Sequence, residues 1–266
     1  MEGETGPAAV RLRRGILVAF EGIDGAGKTT QARLLAERLR NAGLSVVETK
    51  EPTRGPHGQR LRESAAAGRL RKAAGRLRKD EELQAFLEDR KHHVETLIAP
   101  ALAQCRVVLV DRYYFSTAAY QGARGFDPEA IITVNESFAP KPDLLVLLDI
   151  PVEEALRRIG VRENGSGTNH FEKRTTLQKC AAIFRRLERP ELLRLDGREP
   201  AEAIHEKVVS ALDAGPLFRA ACHKEYLHEC EPEYLQLPNP TTVRLSAARL
   251  ASPATGRLPG RRECAC

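Results

Sequence analysis

Tryptophan is absent from the 266 residues, methionine occurs once, and aromatic side chains make up only 5%. A chain this poor in flat rings makes a weak case for a base-stacking RNA platform, which needs aromatic faces along its binding surface. No apolar run reaches the roughly 20 residues that a membrane-spanning helix requires. The N-terminal MEGETGPAAVRLRRG is acidic and then basic, with no apolar stretch of signal-peptide length. Six cysteines (Cys105, Cys180, Cys222, Cys230, Cys264 and Cys266) keep no regular spacing before residue 222, so a disulfide framework is not expected. Cys222, His223, His228 and Cys230 match the spacing of no standard zinc site. These absences set the expectation of a cytoplasmic protein without a membrane partner.

What is present is a balanced globular composition, 42% hydrophobic and 29% charged, with a formal charge of +6 and a pI near 9.1. A basic surface attracts nucleotides and nucleic acids alike, so charge alone does not choose between them. Short, wholly apolar runs alternate with longer helical patterns. Ile16–Phe20, Leu44–Thr49, Arg106–Asp111 and Asp143–Ile150 read as strands, and Glu191–Asp196 as a weaker fifth. Ala32, Leu35, Ala36 and Leu39 recur at helical spacing, with Gly43 as the stop. Leu83, Phe86, Leu87, Val94, Leu97, Ile98 and Ala101 sustain a long helix before the third strand. Asp127-Pro128 opens another, and Val152–Ile159, Phe171–Leu187 and Ala201–Leu212 complete the series. Strands apolar on both faces, alternating with helices, predict an α/β fold around a parallel sheet covered on both sides.

Two segments stand outside this alternation. AAGRLRK occupies Ala66–Lys72 and again Ala73–Lys79, a local duplication that reads as a solvated basic extension, with a cationic patch that attracts phosphates as the alternative. After Leu212 periodicity fades, and residues 238 to 266, rich in Pro, Arg, Ala and Ser, predict a disordered tail.

The strongest motif is Gly22-Ile23-Asp24-Gly25-Ala26-Gly27-Lys28-Thr29-Thr30, set between a strand and a helix. It fits the phosphate-binding pattern G-x4-G-K-[ST], in which backbone N–H groups and a helix N-terminus face phosphate oxygens. Lys28 is placed for the β- and γ-phosphates and the Thr29 hydroxyl for Mg²⁺. These residues form the expected ATP-binding set. Asp111 closes an apolar strand at the edge where such sheets bind ligands, so it is the second candidate for Mg²⁺. Arg112 beside it points to a second phosphate close to the first.

These segments resemble the thymidylate kinases. FEGIDGAGKTTQ is similar to that family's phosphate loop and DRYYFSTAAYQG, Asp111–Gly122, to its signature. FLEDR, KEPTRGPHGQRLRES and FEKRTTLQKCAAIFRRL resemble its other motifs, in the family's order from about Gly15 to Leu212. The resemblance implies a nucleoside monophosphate kinase domain over 15–213, between a flexible N-terminus over 1–14 and an extension over 214–266. Its lid would span about 157–170. It implies a three-layer P-loop NTPase-type fold with five parallel strands, a homodimer, and transfer of the ATP γ-phosphoryl group to dTMP. Arg112 and Arg62 would hold the acceptor phosphate, and Glu51 belongs to the same substrate-binding stretch. Phe86 would stack on the pyrimidine, Arg90 would bond its exocyclic oxygen, and Thr117 and Gln121 would read the base edge. Tyr120 would crowd C2′ of the sugar, and Asp24 would orient the sugar and nearby arginines. Without the family pattern, Phe86 reads more simply as a core position.

One loop lysine is little charge for a migrating phosphoryl group. Gly25-Ala26 lacks the arginine that some family members carry after the loop aspartate, so catalytic arginines are expected from the lid. Arg158 and Arg162, four residues apart, project together if their helix continues that far. Two departures stand out: Thr53-Arg54 follows Glu51-Pro52 where most bacterial members have two glycines, and Lys50 stands where arginine is common. A deoxynucleoside kinase shares most of these features, but Arg62 with Arg112 favours an acceptor that already carries phosphate. A nucleotide-gated nucleic-acid-binding module is the other alternative, set against the intact Lys28, Thr29, Asp111 and lid arginines.

Overall fold

In the computed structural model, which describes residues 12–69, 77–162 and 170–220, every residue of β1 (Ile16–Glu21) is buried. That follows from its place at the centre of a five-stranded parallel sheet ordered β2-β3-β1-β4-β5. The other strands are β2 (Val46–Lys50), β3 (Val107–Asp111), β4 (Leu144–Asp149) and β5 (Leu192–Asp196). All five match the sequence reading to within two residues at each end. β3 and β4 flank β1, pairing Phe20 with Asp111 and Glu21 with Leu147. β2 carries alternating burial, as an edge strand should. Each apolar side chain fully buried along β1, β3 and β4 contributes roughly 1.5–3 kcal/mol.

Chain connections leave β1 toward β2 on one side and leave β3 toward β4 on the other. The crevice at the carboxyl ends of β1 and β3 is therefore where an open α/β sheet binds ligands. α1 (Lys28–Asn41) starts there and buries Ala32, Leu35, Ala36 and Leu39, as its spacing predicts. It ends in a Schellman turn: Gly43 adopts φ +81°, with Gly43 N donating to Arg40 O and Leu44 N to Leu39 O.

The expected long helix is present as α3 (Lys79–His93) and α4 (Ala99–Ala103), joined by a π turn over Val94–Ile98. Pro100 has no N–H to donate, and just ahead of it the Ala99 N–H reaches back five residues to Val94 O. α2 (Pro56–Arg69) and α5 (Tyr114–Gly122) occupy stretches read above for chemistry and not for structure. α6 (Pro128–Glu136) is capped by Asp127, which accepts from Glu129 N and Ala130 N. α7 (Val152–Arg162), α8 (His170–Arg185) and α9 (Ala201–Leu212) follow the expected order.

The edges of the body differ from the expected 15–213. After a π turn over Asp213–Leu217 comes α10 (Phe218–Ala220), and Ala220 is fully buried. Its carbonyl accepts from Arg13 N at 2.8 Å, and Leu12 is buried beside it in the core. These two short pieces satisfy each other, which periodicity within either could not reveal. Of the duplicated heptads only the outer ends are described: Leu77 N donates to Ser64 Oγ, and Lys79 Nζ to Arg124 O. Residues 70–76, residues 163–169 of the expected lid, and residues 221–266 of the expected C-terminal extension, with Cys222, His223, His228 and Cys230, lie outside the described residues. No helix among the described residues is long and apolar enough to cross a membrane.

Candidate active site

The loop after β1 can curl only because it has no side chain at its tightest points. Gly22 adopts φ +133°, and a Cβ there would lie 2.4 Å from Leu148 O. Gly25, at φ +84°, would meet Ala155 O at 2.8 Å. No side chain caps α1 and no acidic residue lies in its first turn, so its leading amides face the loop with their positive end uncompensated. Lys28 folds back over the loop, donating to Gly22 O at 3.0 Å and Ile23 O at 2.8 Å. Burial, with Arg112 repelling it as well, lowers its pKa to about 7 against the pull of Asp24, Asp111 and Glu21. The lysine predicted for phosphate thus rests on carbonyls that an anion could replace.

At the end of β3, Asp111 Oδ2 accepts from Thr29 Oγ1 at 2.5 Å and from Lys50 Nζ at 2.8 Å. Burial favours the neutral acid, yet the Lys50 and Thr29 bonds outweigh it and hold the Asp111 pKa below its ordinary value. The other oxygen, Oδ1, is buried without a hydrogen-bond partner. An unsatisfied buried acceptor costs about 1–3 kcal/mol. A hydroxyl beside an ionised carboxylate with a spare oxygen is the hard donor set that Mg²⁺ takes alongside phosphate oxygens and water. Among the described residues no group of three or more His, Cys, Asp or Glu side chains could hold a metal by itself.

Arg112 turns the chain through φ +72°, a conformation that side-chain-bearing residues rarely adopt. Glu21 holds that turn. It is fully buried at the end of β1 and accepts from Tyr113 N at 2.8 Å, Ser116 N at 2.9 Å and Ser116 Oγ at 2.5 Å. Ser116 Oγ in turn accepts from Arg112 at 3.1 Å. The guanidinium also pairs with Asp24 and lies 5.4 Å from the Tyr120 ring centroid, while the Tyr120 oxygen accepts from Asp24 N at 3.2 Å. Burial works against the Arg112 charge, but Tyr120, Asp24 and Glu21 together raise its pKa. Asp24, Arg112 and Tyr120 are therefore brought together as expected. Glu21 was missed; a carboxylate closing an otherwise apolar strand was the signal.

A second cluster lies where α3 meets α5. Four residues apart on each helix, Glu82, Phe86 and Arg90 run antiparallel to Thr117 and Gln121. Gln121 Nε2 donates to Glu82 Oε1 at 3.0 Å at one end, and Arg90 donates to Thr117 Oγ1 at 3.0 Å at the other. Phe86 falls between these crossings, half-buried and outside the core cluster, so the simpler core reading does not hold. Arg90 is 1% exposed, and its bonds to Glu51 (two), Asn135 and Thr117 use four of its five N–H groups.

Two residues of the expected substrate set make their contacts within the protein. Glu51 is buried where the chain turns inward after β2, with its carboxylate divided between Arg90 and His93 Nδ1. Arg62 is exposed and donates to the carbonyls of Pro52 and Thr53 instead of joining Arg112. The departure at Thr53 has a use. Its N–H and hydroxyl donate to Asp89 at 2.7 and 2.6 Å, and the hydroxyl accepts from Gly55 N. A glycine there would leave buried Asp89 one bond short.

α7 does continue to Arg162, whose side chain lies outside the described residues. Arg158 donates to Glu154 at 2.6 Å and, more weakly, to Gly25 O at 3.4 Å. Arg158 therefore already reaches the loop after β1, and Arg162 stands one turn further along the same helix.

Comparison with known proteins agrees with this geometry. The family model described as thymidylate kinase matches residues 20–208. A thymidylate kinase of Xanthomonas campestris is 48% identical over 202 residues, covering 74% of this chain and 85% of its own. Those of Akkermansia muciniphila and Desulfotalea psychrophila are 48% and 46% identical, covering 75% and 73% of this chain and 92% and 93% of theirs.

Proposed function

The chain belongs to the thymidylate kinase family, and from that membership we infer both its reaction and the part each residue takes in it. The enzyme transfers the γ-phosphoryl group of ATP to dTMP, giving ADP and dTDP.

The observation that carries the residue assignments is the divergence of two successive side chains. Asp111 turns to Thr29 of the phosphate loop, and Arg112 turns to Asp24 and Tyr120. Donor and acceptor phosphates would then lie on either side of one peptide bond, close enough for direct transfer. The loop Gly22–Thr30 would wrap the ATP phosphates in backbone N–H groups, with Lys28 exchanging its carbonyl partners for phosphate oxygens. Thr29 and Asp111 would hold Mg²⁺, which when bound neutralises charge on the β- and γ-phosphates. Arg112 would clamp the dTMP phosphate through a fork that suits phosphate oxygens better than an ammonium would. Asp24 keeps that fork in place and would accept a hydrogen bond from the acceptor sugar, while Tyr120 would crowd a ribose 2′-hydroxyl. Phe86 would stack on thymine; Arg90, Thr117 and Gln121 would meet its polar edge. Arg158 and Arg162 would approach the transferring group as the lid closes, excluding water from it. A homodimer and a cytoplasmic setting complete the proposal and rest on family membership alone.

Coupled ADP release with a panel of nucleoside monophosphates and Mg²⁺ tests this reading. The expected result is preference for dTMP with no turnover of thymidine. An enzyme that phosphorylates thymidine, or leaves dTMP untouched, would overturn it.

A further inference from the structure

We propose that Glu82 sets the base selectivity of the site by fixing which way the Gln121 amide points; this rests on reading the α3–α5 seam as the thymine pocket. A carboxylate can only accept hydrogen bonds, so Glu82 Oε1 obliges Gln121 to turn its NH₂ toward α3. Arg124 donates to the same oxygen, and Lys79 Nζ holds the Arg124 carbonyl at 3.0 Å, which ties the end of α5 to the start of α3. Gln121 is 1% exposed, so water does not compete for its amide and the partner at Glu82 decides its orientation. Its Oε1 is left buried without a partner. An unpartnered buried carbonyl oxygen can be satisfied only by a donor.

Thymine and uracil carry an imide N–H at ring position 3, whereas cytosine carries a lone pair there. A fixed carbonyl oxygen therefore accepts the first two and meets the third lone pair to lone pair. Arg90 cannot read ring position 3 in this way: it is a donor with one N–H left, suited to the exocyclic oxygen beside that position. Glu82 is thus a positioning residue that acts through Gln121.

The test compares kcat/KM for dTMP, dCMP and N3-methyl-dTMP in the wild type, Glu82→Gln, Glu82→Asp and Arg124→Met. Glutamine at 82 can donate as well as accept, so Gln121 is free to turn over. In Glu82→Gln the dTMP-to-dCMP ratio should shrink about tenfold or more, mainly through KM, because unpairing a buried polar group is what gives such sites their discrimination. Glu82→Asp should recover part of the ratio, and Arg124→Met should keep it, since the carboxylate remains. Wild type should reject N3-methyl-dTMP, and should Glu82→Gln fail to fold, efficient turnover of that analogue by the wild type would still overturn the proposal. An active wild type whose ratio survives Glu82→Gln would remove this inference alone. A wild type inactive on dTMP would remove the thymidylate kinase reading as well.

Discussion

The proposed phosphate end and the proposed base end of the crevice are built on opposite principles. At the phosphate end, cations lean on replaceable partners: Lys28 on two loop carbonyls, Lys50 on Asp111, and Arg158 on Glu154 and Gly25 O. At the base end, Arg90, Glu51, His93, Asn135 and Thr117 close on one another below the surface. Groups in the first set can exchange partners when an anion arrives. Those in the second cannot do so without leaving a buried charge uncovered. On the proposed assignment, the contrast would let one crevice bind phosphate that moves and a base that must not.

The sharpest way to break this contrast is at Arg90. Arg90→Met should destabilise the protein by about 3–5 kcal/mol, because Glu51 is left charged and buried; urea denaturation measures it. An equally large loss in Arg112→Met, which should abolish dTMP turnover while costing little stability, would erase the distinction between the two ends. Next in size is the lid. Arg158→Ala should lower kcat on the order of 10³-fold, roughly 4 kcal/mol, with the melting temperature nearly unchanged. Near wild-type turnover in both Arg158→Ala and Arg162→Ala would end the assignment of the lid arginines.

A titration separates the ends more finely. Burial lowers the Lys28 pKa to about 7 from the 10.5 of a free lysine, so between those values the unfolded chain holds more protons. Stability without nucleotide should therefore rise with pH across that window, by up to about 1.4 kcal/mol per unit from this group. Lys28→Met should flatten the rise, as denaturation at several pH values would reveal. The smallest effect is expected at Thr53→Gly, about 1 kcal/mol from the lost Asp89 bond, read as a shift in the urea midpoint.

The sheet was legible because its strands are apolar on both faces, and the phosphate loop because its glycines and lysine are confined to one short run. Phe86 and Arg90 could be put on one helix face by counting, but not assigned an environment. Glu21, Glu82 and Asn135 escaped notice because their partners lie 39 to 95 residues away, and periodicity carries no information about which turns converge. Leu12 and Ala220 were missed for the same reason, each short segment being stabilised by the other. Glu51 and Arg62 could be named from their stretch, but not the contacts that the turn after β2 gives their side chains within the protein itself.

An amine whose pKa burial lowers to about 7 makes donor capture an acid–base event. When a nucleotide tail supplies anions, the lysine regains its hydrogen ion, drawn from the medium. Calorimetric heats of ATP binding near pH 8 should therefore vary with the ionisation enthalpy of the buffer.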